Sequence, residues 1–461
     1  MSVMAAYIVP HPPLIVPEVG KGQESKIQST IDAYHSISKQ IAELKPETVV
    51  IISPHSVMYQ DYIHISPGST AVGDMKQFGA EKTRIRVDYD SELARAVEEL
   101  AEQERVAAGT LGERDKKLDH GTMVPLWFID QYLKDYRVIR VSISGLTPTE
   151  HYRLGKCIKG AAEKLLRRVV VVASGDLSHR LKEDGPYGFA EEGPVFDQLV
   201  TKAMSEGDFL SFMRFNEEFC EGAAECGLRS FITMAGTLDG EAVNPRLLSY
   251  EGPFGVGYAV AAFYPALPDE SRHLDLFREA EMRVELEQIR KGEGALVALA
   301  RRSLETYVRE GKKIDMPPGL PEEIMGQRAG VFVSIKKGGR LRGCIGTIAA
   351  VEDSIAAEII RNAVSAGTGD PRFDSVTAEE LNELVYSVDV LGKPEPIKSI
   401  DELDVLRYGV IVTHGRKRGL LLPNLDGVTT PQQQVEIALQ KAGIPPRADY
   451  SMERFEVVRH Q

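Results

Sequence analysis

The chain has 461 residues, of which 43% are hydrophobic and 27% charged, with a formal net charge of −13. That composition is globular, the length predicts two or three domains, and the acidity excludes a nucleic-acid backbone as the expected partner. No apolar run approaches the roughly twenty residues that cross a bilayer, so no membrane association is expected, and no basic-then-apolar leader is visible. Cys157, Cys220, Cys226 and Cys344 form no CxxC pair. This argues against a zinc ribbon and fits a reducing cytoplasm.

The first 265 residues alternate strand and helix. Runs at 5–9, 48–53, 136–144 and 168–174 are β-branched and almost continuously apolar. Strands buried on both faces of a parallel or mixed sheet look like this. Helical patterns lie at about 23–44, 91–104, 149–167, 191–206 and 221–238, and 255–265 reads as another buried strand. The expected fold is α/β, a mixed-sheet sandwich over residues 1–267. Pro268 to Arg272 is polar and reads as a linker. A smaller α+β domain is expected over 275–461. It shows a helix at about 292–309, a hairpin over 330–348 turning at Lys336–Gly339, a strand at 384–392, a hairpin over 408–423 and a helix at 430–442. The one basic cluster, His414 to Gly419, falls in a hairpin turn.

Ligands of open α/β sheets sit beyond the carboxyl ends of the strands, so the residues just past each run matter most. There the chain reads "VPHPP" with His11, "SPHS" with His55, "KLDHG" with His120, and "SGDLSH" with Asp176 and His179. Proline fixes its own φ and holds the preceding residue extended, so Pro10 and Pro12 stiffen His11. Taken singly, His11 or His55 is an ordinary turn residue. Four histidines at such junctions, most of them directly after a strand-like run, point instead to one site. Two imidazoles and a carboxylate suit non-haem Fe(II). "AAECGLRSF" offers Glu225 as that carboxylate, or Cys226, whose thiolate shifts the preference to softer metals. His35, His64, His151 and His273 read as structural or solvated.

Together these strings resemble the class III extradiol dioxygenases, typified by the protocatechuate 4,5-dioxygenase catalytic subunit, and the related Memo proteins, over about residues 1–265. The resemblance implies Fe(II), or another divalent metal, on His11, His55 and Glu225. Cys226 is the rival third ligand, because Cys226–Gly227 matches the Memo-like pattern. It further implies His179 as acid–base residue, His120 as the histidine that contacts substrate or oxygen, and Asp176 beside them. The expected substrate is a diol-bearing, catechol-like small molecule, with His179 accepting a hydroxyl proton. A metal-dependent hydrolase or lyase, or a metal-binding scaffold, is the competing expectation.

In the second half, "GGRLRGCIGT" brackets Cys344 with Gly343 and Gly346. Strict alternation places Arg340, Arg342 and Cys344 on one side, where the arginines favour a reactive thiol. The competing reading is a small residue packed in a sheet. "GDPRF" (369–373) and "LLLPNLDG" (420–427) are further polar turns. The string "LRGCIG", with "NAVSAGTGDPRF" (362–373), resembles the AMMECR family over about 275–461. A Memo-like domain followed by an AMMECR-like one also looks like a system that works with a radical S-adenosylmethionine enzyme, which implies such a partner.

Overall fold

The computed structural model describes residues 2–114, 117–425 and 427–461. The chain divides into two compact units, Met1–Glu281 and Met282–Gln461. Among the described residues no helix is long and apolar enough to cross a membrane.

The first unit contains, in chain order, β1 (Val3–Val9), β2 (Thr48–Ser53), the short β3 (Ile63–His64), β4 (Thr70–Met75), β5 (Ala80–Asp88), β6 (Ala108–Gly109), β7 (Arg137–Ser142), β8 (Val169–Ser174), β9 (Glu241–Glu251) and β10 (Tyr258–Pro268). Six of these form a mixed sheet in the order β7-β2-β8-β1-β10-β9. The four strands β7, β2, β8 and β1 are parallel; β10 and β9 run antiparallel to their neighbours. The α/β sandwich expected from the apolar runs is therefore present, with the parallel core built from the runs that are most β-branched.

Alternation explains why those runs are apolar throughout. Val169, Val171 and Ala173 of β8 enter one core with Leu93, Leu154, Ile158 and Phe231 from three helices. Val170 and Val172 enter the other core with Tyr34, Ile37, Met123 and Val124 from helices Gln28–Leu44 and His120–Ile129. Each buried aliphatic side chain contributes roughly 1.5–3 kcal/mol, so a polar residue on either face of β8 is costly. Caps set the helix starts: Asp90 accepts the Leu93 N–H at 3.2 Å, and Thr147 and Glu150 form a reciprocal capping box.

The hairpin of β4 and β5 is absent from the sequence expectations, which differ from this fold in two further places. The helix expected over 221–238 is two helices, Glu217–Ala223 and Leu228–Gly236, because Ala224 turns left-handed at φ 52. The break holds Glu225 and Cys226. Strand β9 carried no recognisable alternation, because it is an edge strand whose side chains are mostly half-buried or exposed.

The second unit contains β11 (Val331–Lys337), β12 (Arg340–Gly346), β13 (Leu384–Leu391), β14 (Glu395–Ile397), β15 (Tyr408–His414), β16 (Lys417–Leu421) and β17 (Ser451–His460). They form an antiparallel seven-stranded sheet in the order β12-β11-β13-β17-β15-β16, with β14 on β17. Helices Ala295–Glu310 and Ile355–Thr368 cover Val331, Val333, Ile335 and Val388, while Pro431–Ala442 covers Val410, Val412 and Leu421. This is the expected smaller α+β fold, with helices Glu322–Gly326 and Ile355–Thr368 and strands β14 and β17 added. In β17 the apolar residues are too interspersed with charge to declare a strand. Asp426 of the 420–427 turn lies outside the described residues.

Pairing also corrects the expected alternation around Cys344. Ile335 opposes Gly343 but Lys336 opposes Leu341, so Arg342 occupies a bulge. A bulge consumes one residue without a partner. Leu341 therefore shares the face of Cys344, and Arg340, opposite Lys337, does not.

Candidate metal centre

The site begins with serines at strand ends. β2 and β8 finish on Ser53 and Ser174, both fully buried. Ser174 donates its hydroxyl proton to the Gly121 carbonyl at 2.6 Å, so its lone pair faces His11 Nδ1 at 2.9 Å. His11 Nδ1 must then carry the proton, and Nε2 is left with a bare lone pair. Ser53 likewise donates to Asp119 at 2.5 Å and accepts the His55 N–H at 3.3 Å. Asp119 also caps helix His120–Ile129 by accepting the Thr122 N–H, which places His120 at the first turn. These serines carried no signal that marks a site in sequence, beyond being the last residue of an apolar run.

His11 Nε2 and His55 Nε2 lie 2.9 Å apart, and Cys226 Sγ is 3.7 Å from His11 Nε2. One donor atom from each of His11, His55 and Cys226 falls within 4.8 Å of the others. The His120 ring stacks on His55 at 4.2 Å between centroids and lies 5.3 Å from His11. His179 Nδ1 faces the Ala224 carbonyl at 2.6 Å, so that nitrogen carries the proton and Nε2 is the acceptor, 4.0 Å from Asp176 Oδ2. Asp176 accepts the His11 backbone N–H at 2.8 Å.

Glu225 is turned elsewhere. Its carboxylate accepts the Leu228 N–H at 2.7 Å, at the start of helix Leu228–Gly236, where an anion is favoured by the helix dipole. The left-handed turn at Ala224 gives neighbouring residues different directions, and Cys226 rather than Glu225 faces the histidines. His35 pairs with Tyr132, and His273 with Asp239. His64 and His151 are buried in the fold.

Close backbone approach makes this arrangement possible. A Cβ on Gly175 would lie 2.1 Å from Gly227 Cα, so the loop after β8 and the helix break touch main chain to main chain. That contact brings the Asp176 N–H to Cys226 Sγ at 3.4 Å.

Burial dominates the electrostatics. It drives His11 well below the usual histidine range, with His55, His120 and His179 adding repulsion. Burial also lowers His55, against the attraction of Asp119, and takes His120 down to about 4. His179 is lowered by burial against its bond to Ala224. All four rings are thus neutral at neutral pH, the form that ligates metals. Burial raises Asp176 to about 7, against the His11 N–H, and raises the Cys226 thiol, helped by Asp176 and Glu225.

The donor set fits a divalent ion. Metal–nitrogen bonds near 2.0–2.1 Å and metal–sulfur bonds near 2.3 Å put two donors of one ion roughly 3.3–3.7 Å apart. The 3.7 Å between Cys226 Sγ and His11 Nε2 is in that range, and the 2.9 Å between the rings is a few tenths shorter. Two bare or competing nitrogens facing each other are better satisfied by a cation than by one shared proton. Ser174→Ala removes the acceptor that orients His11, and metal affinity measured by competition with a chelator is expected to fall about 10- to 100-fold.

The loop carrying His179 rests on Asp197, which is 1% exposed and accepts the Ser178 N–H at 2.8 Å and the Tyr250 hydroxyl at 2.7 Å. Burial raises Asp197 to about 6 from the ordinary 3.8 despite those bonds. The folded protein then holds a proton that the unfolded chain gives up. This contribution to stability is present below about pH 4 and is lost as pH rises through about 6, by roughly 3 kcal/mol. Asp197→Asn should flatten that part of the melting temperature against pH profile.

Two families match the chain. Residues 5–261 match the family described as the catalytic LigB subunit of aromatic ring-opening dioxygenase, and residues 297–460 match AMMECR1. Protein CA_C1420 of Clostridium acetobutylicum is 44% identical over 470 residues, covering 100% of both chains. A Thermotoga maritima protein is 48% identical over 172 residues, covering 37% of this chain and 99% of its own. Among solved structures, the uncharacterized protein PH0010 from Pyrococcus horikoshii is 33% identical with a TM-score of 0.34, covering 36% of this chain and 88% of that one. The uncharacterized protein JW3007 from Escherichia coli K12 is 15% identical with a TM-score of 0.36, covering 56% of this chain and 99% of that one. By the match over more than half its length, this chain belongs to the family of the catalytic LigB subunit of aromatic ring-opening dioxygenase, with an AMMECR1 domain following in the same polypeptide.

Proposed function

We propose that the N-terminal unit is a mononuclear metal enzyme, with His11, His55 and Cys226 as ligands, that opens a diol-bearing aromatic ring in an Fe(II)-dependent reaction. The observation that carries this reading is the convergence of two imidazole nitrogens and a thiol at the carboxyl edge of the sheet, beside a further imidazole whose acceptor nitrogen is free. A bound iron would supply positive charge, open coordination positions and electron transfer.

The chain's own residues do the rest. His179 accepts a proton from a substrate hydroxyl at Nε2, since burial keeps its ring neutral and Ala224 holds Nδ1–H. Asp176, near enough to Nε2 at 4.0 Å, steadies the imidazolium that forms. His120, stacked on His55 and edge-on to Phe78 at 5.4 Å, walls the site with rings. The test is anaerobic purification with metal analysis, then addition of a panel of catechols with oxygen. Bound iron and a yellow ring-opened product are expected. Iron without oxygen uptake on any diol would sink the ring-opening reading.

Cys226 favours a second reading. A thiolate in place of a carboxylate resembles the three-ligand zinc sites that keep one position for water. There His179 would act as base toward that water, in a hydrolytic or lyase reaction. Zinc in the purified protein, with no oxygen consumption, would select it.

A further inference from the structure

The sheet of the C-terminal unit has two unlike faces around Cys344. Directly opposed residues of antiparallel strands point to the same side. The pairs Ser334–Cys344, Phe332–Asp389 and Asp389–Arg459 therefore set Ser334, Cys344, Asp389 and Arg459 on one face across four strands. The opposite face carries Val331, Val333, Ile335 and Val388 into the main core, while on this face Phe332, Leu391 and Val457 join a smaller apolar cluster beside Asp389 and Arg459.

Each end of this face holds an arginine locked by a buried carboxylate. Asp370, whose side chain is 2% exposed, accepts the Cys344 N–H at 2.9 Å and takes Arg372 Nε and Nη2 at 2.9 and 2.7 Å. Asp389, also 2% exposed, takes Arg459 Nε and Nη2 at 2.8 and 2.9 Å. The Arg372 and Arg459 side chains themselves are 54% and 42% exposed. A two-point bond fixes the plane of a guanidinium and leaves its Nη1 edge of donors directed away from the carboxylate. Between them the Ser334 hydroxyl donates to Cys344 Sγ at 3.2 Å. Arg372 Nη2 also donates to the Cys344 carbonyl at 3.4 Å.

We propose that this face is an anion-binding site, in which Arg372 and Arg459 receive a carboxylate or phosphate group of a small molecule and hold it against the thiol of Cys344. Preorganisation is the physical argument: two donor edges already held in place lose little entropy when an oxyanion arrives. This face belongs to the second unit, and its test does not require metal or turnover.

The experiment alkylates the full chain with anionic iodoacetate and, separately, neutral iodoacetamide, and reads the rate at each cysteine by peptide mass spectrometry. In either reaction the sulfur displaces iodide. The ratio of the iodoacetate to the iodoacetamide rate at Cys344 is expected to exceed that of glutathione in the same buffer by about tenfold. Arg372→Gln and Arg459→Gln should each lower the ratio at least about threefold. Citrate and inorganic phosphate, titrated separately, distinguish a carboxylate from a phosphate ligand by which one protects Cys344. A ratio equal to that of glutathione in the wild-type chain, or protection by neither anion, would overturn the proposal. Those two measurements decide the matter even if a variant fails to fold.

Discussion

Cys226→Ala is expected to empty the metal centre, and Glu225→Gln to leave it filled. The two residues are adjacent, and either a carboxylate or a thiolate can ligate a metal, so sequence offers either as the third ligand. Their surroundings differ. Glu225 is committed to the Leu228 N–H at 2.7 Å, whereas Cys226 Sγ lies 3.7 Å from His11 Nε2. Removing a true ligand leaves two imidazoles, and retention should fall by more than the 10- to 100-fold typical of a supporting residue. Glutamine keeps an oxygen that can still cap the helix, so Glu225→Gln should cost no more than about 1–2 kcal/mol of stability. Metal content per chain after desalting, measured beside a thermal melt, separates the two roles. Metal lost from Glu225→Gln at unchanged melting temperature, and kept by Cys226→Ala, would reverse the assignment.

Gly175→Ala is expected to be the most damaging methyl group that can be added to the first unit near the site. Its Cβ would sit 2.1 Å from Gly227 Cα and 2.9 Å from Phe231 Cε1. Neither side can give easily. The Gly175 N–H is bonded to the Val9 carbonyl at 2.9 Å, and the Gly227 carbonyl receives the Phe231 N–H at 3.0 Å. Overpacking of backbone on backbone costs about 3 kcal/mol or more, which lowers the melting temperature by roughly 6–12 °C in a unit of this size. Because the same contact brings Asp176 to Cys226, metal retention should fall together with stability. A Gly175→Ala protein that melts like the wild type would show that the two loops are not in the contact described.

Much of the architecture was legible before any coordinates. The four parallel strands are β-branched and apolar on both faces, and only a sheet covered on both sides buries such runs. His11, His55 and His179 were legible because each follows one of those runs, and a parallel sheet collects its strand ends at one edge; His120 instead opens helix His120–Ile129. The hairpins around Gly338–Gly339 and Gly415 were legible from turn residues alone. Strands β9 and β17 were not, because their side chains answer to neighbouring strands rather than to a core of their own.

For this protein, then, local sequence determined which segments become the parallel strands, that His11, His55 and His179 follow them, and that prolines hold His11 extended. Only the tertiary structure turned Cys226 rather than Glu225 towards the histidines, through a single left-handed residue at Ala224 and a glycine-to-glycine contact from a distant loop. It also took Arg340 off the face of Cys344 by one bulge, committed Arg342 to Glu380 at 3.0 Å, and set Arg459 on that face through its pairing with Asp389. The reason is the same in both cases. Direction within a turn or a bulge changes by one residue, and what selects the residue is packing against segments far away in the chain.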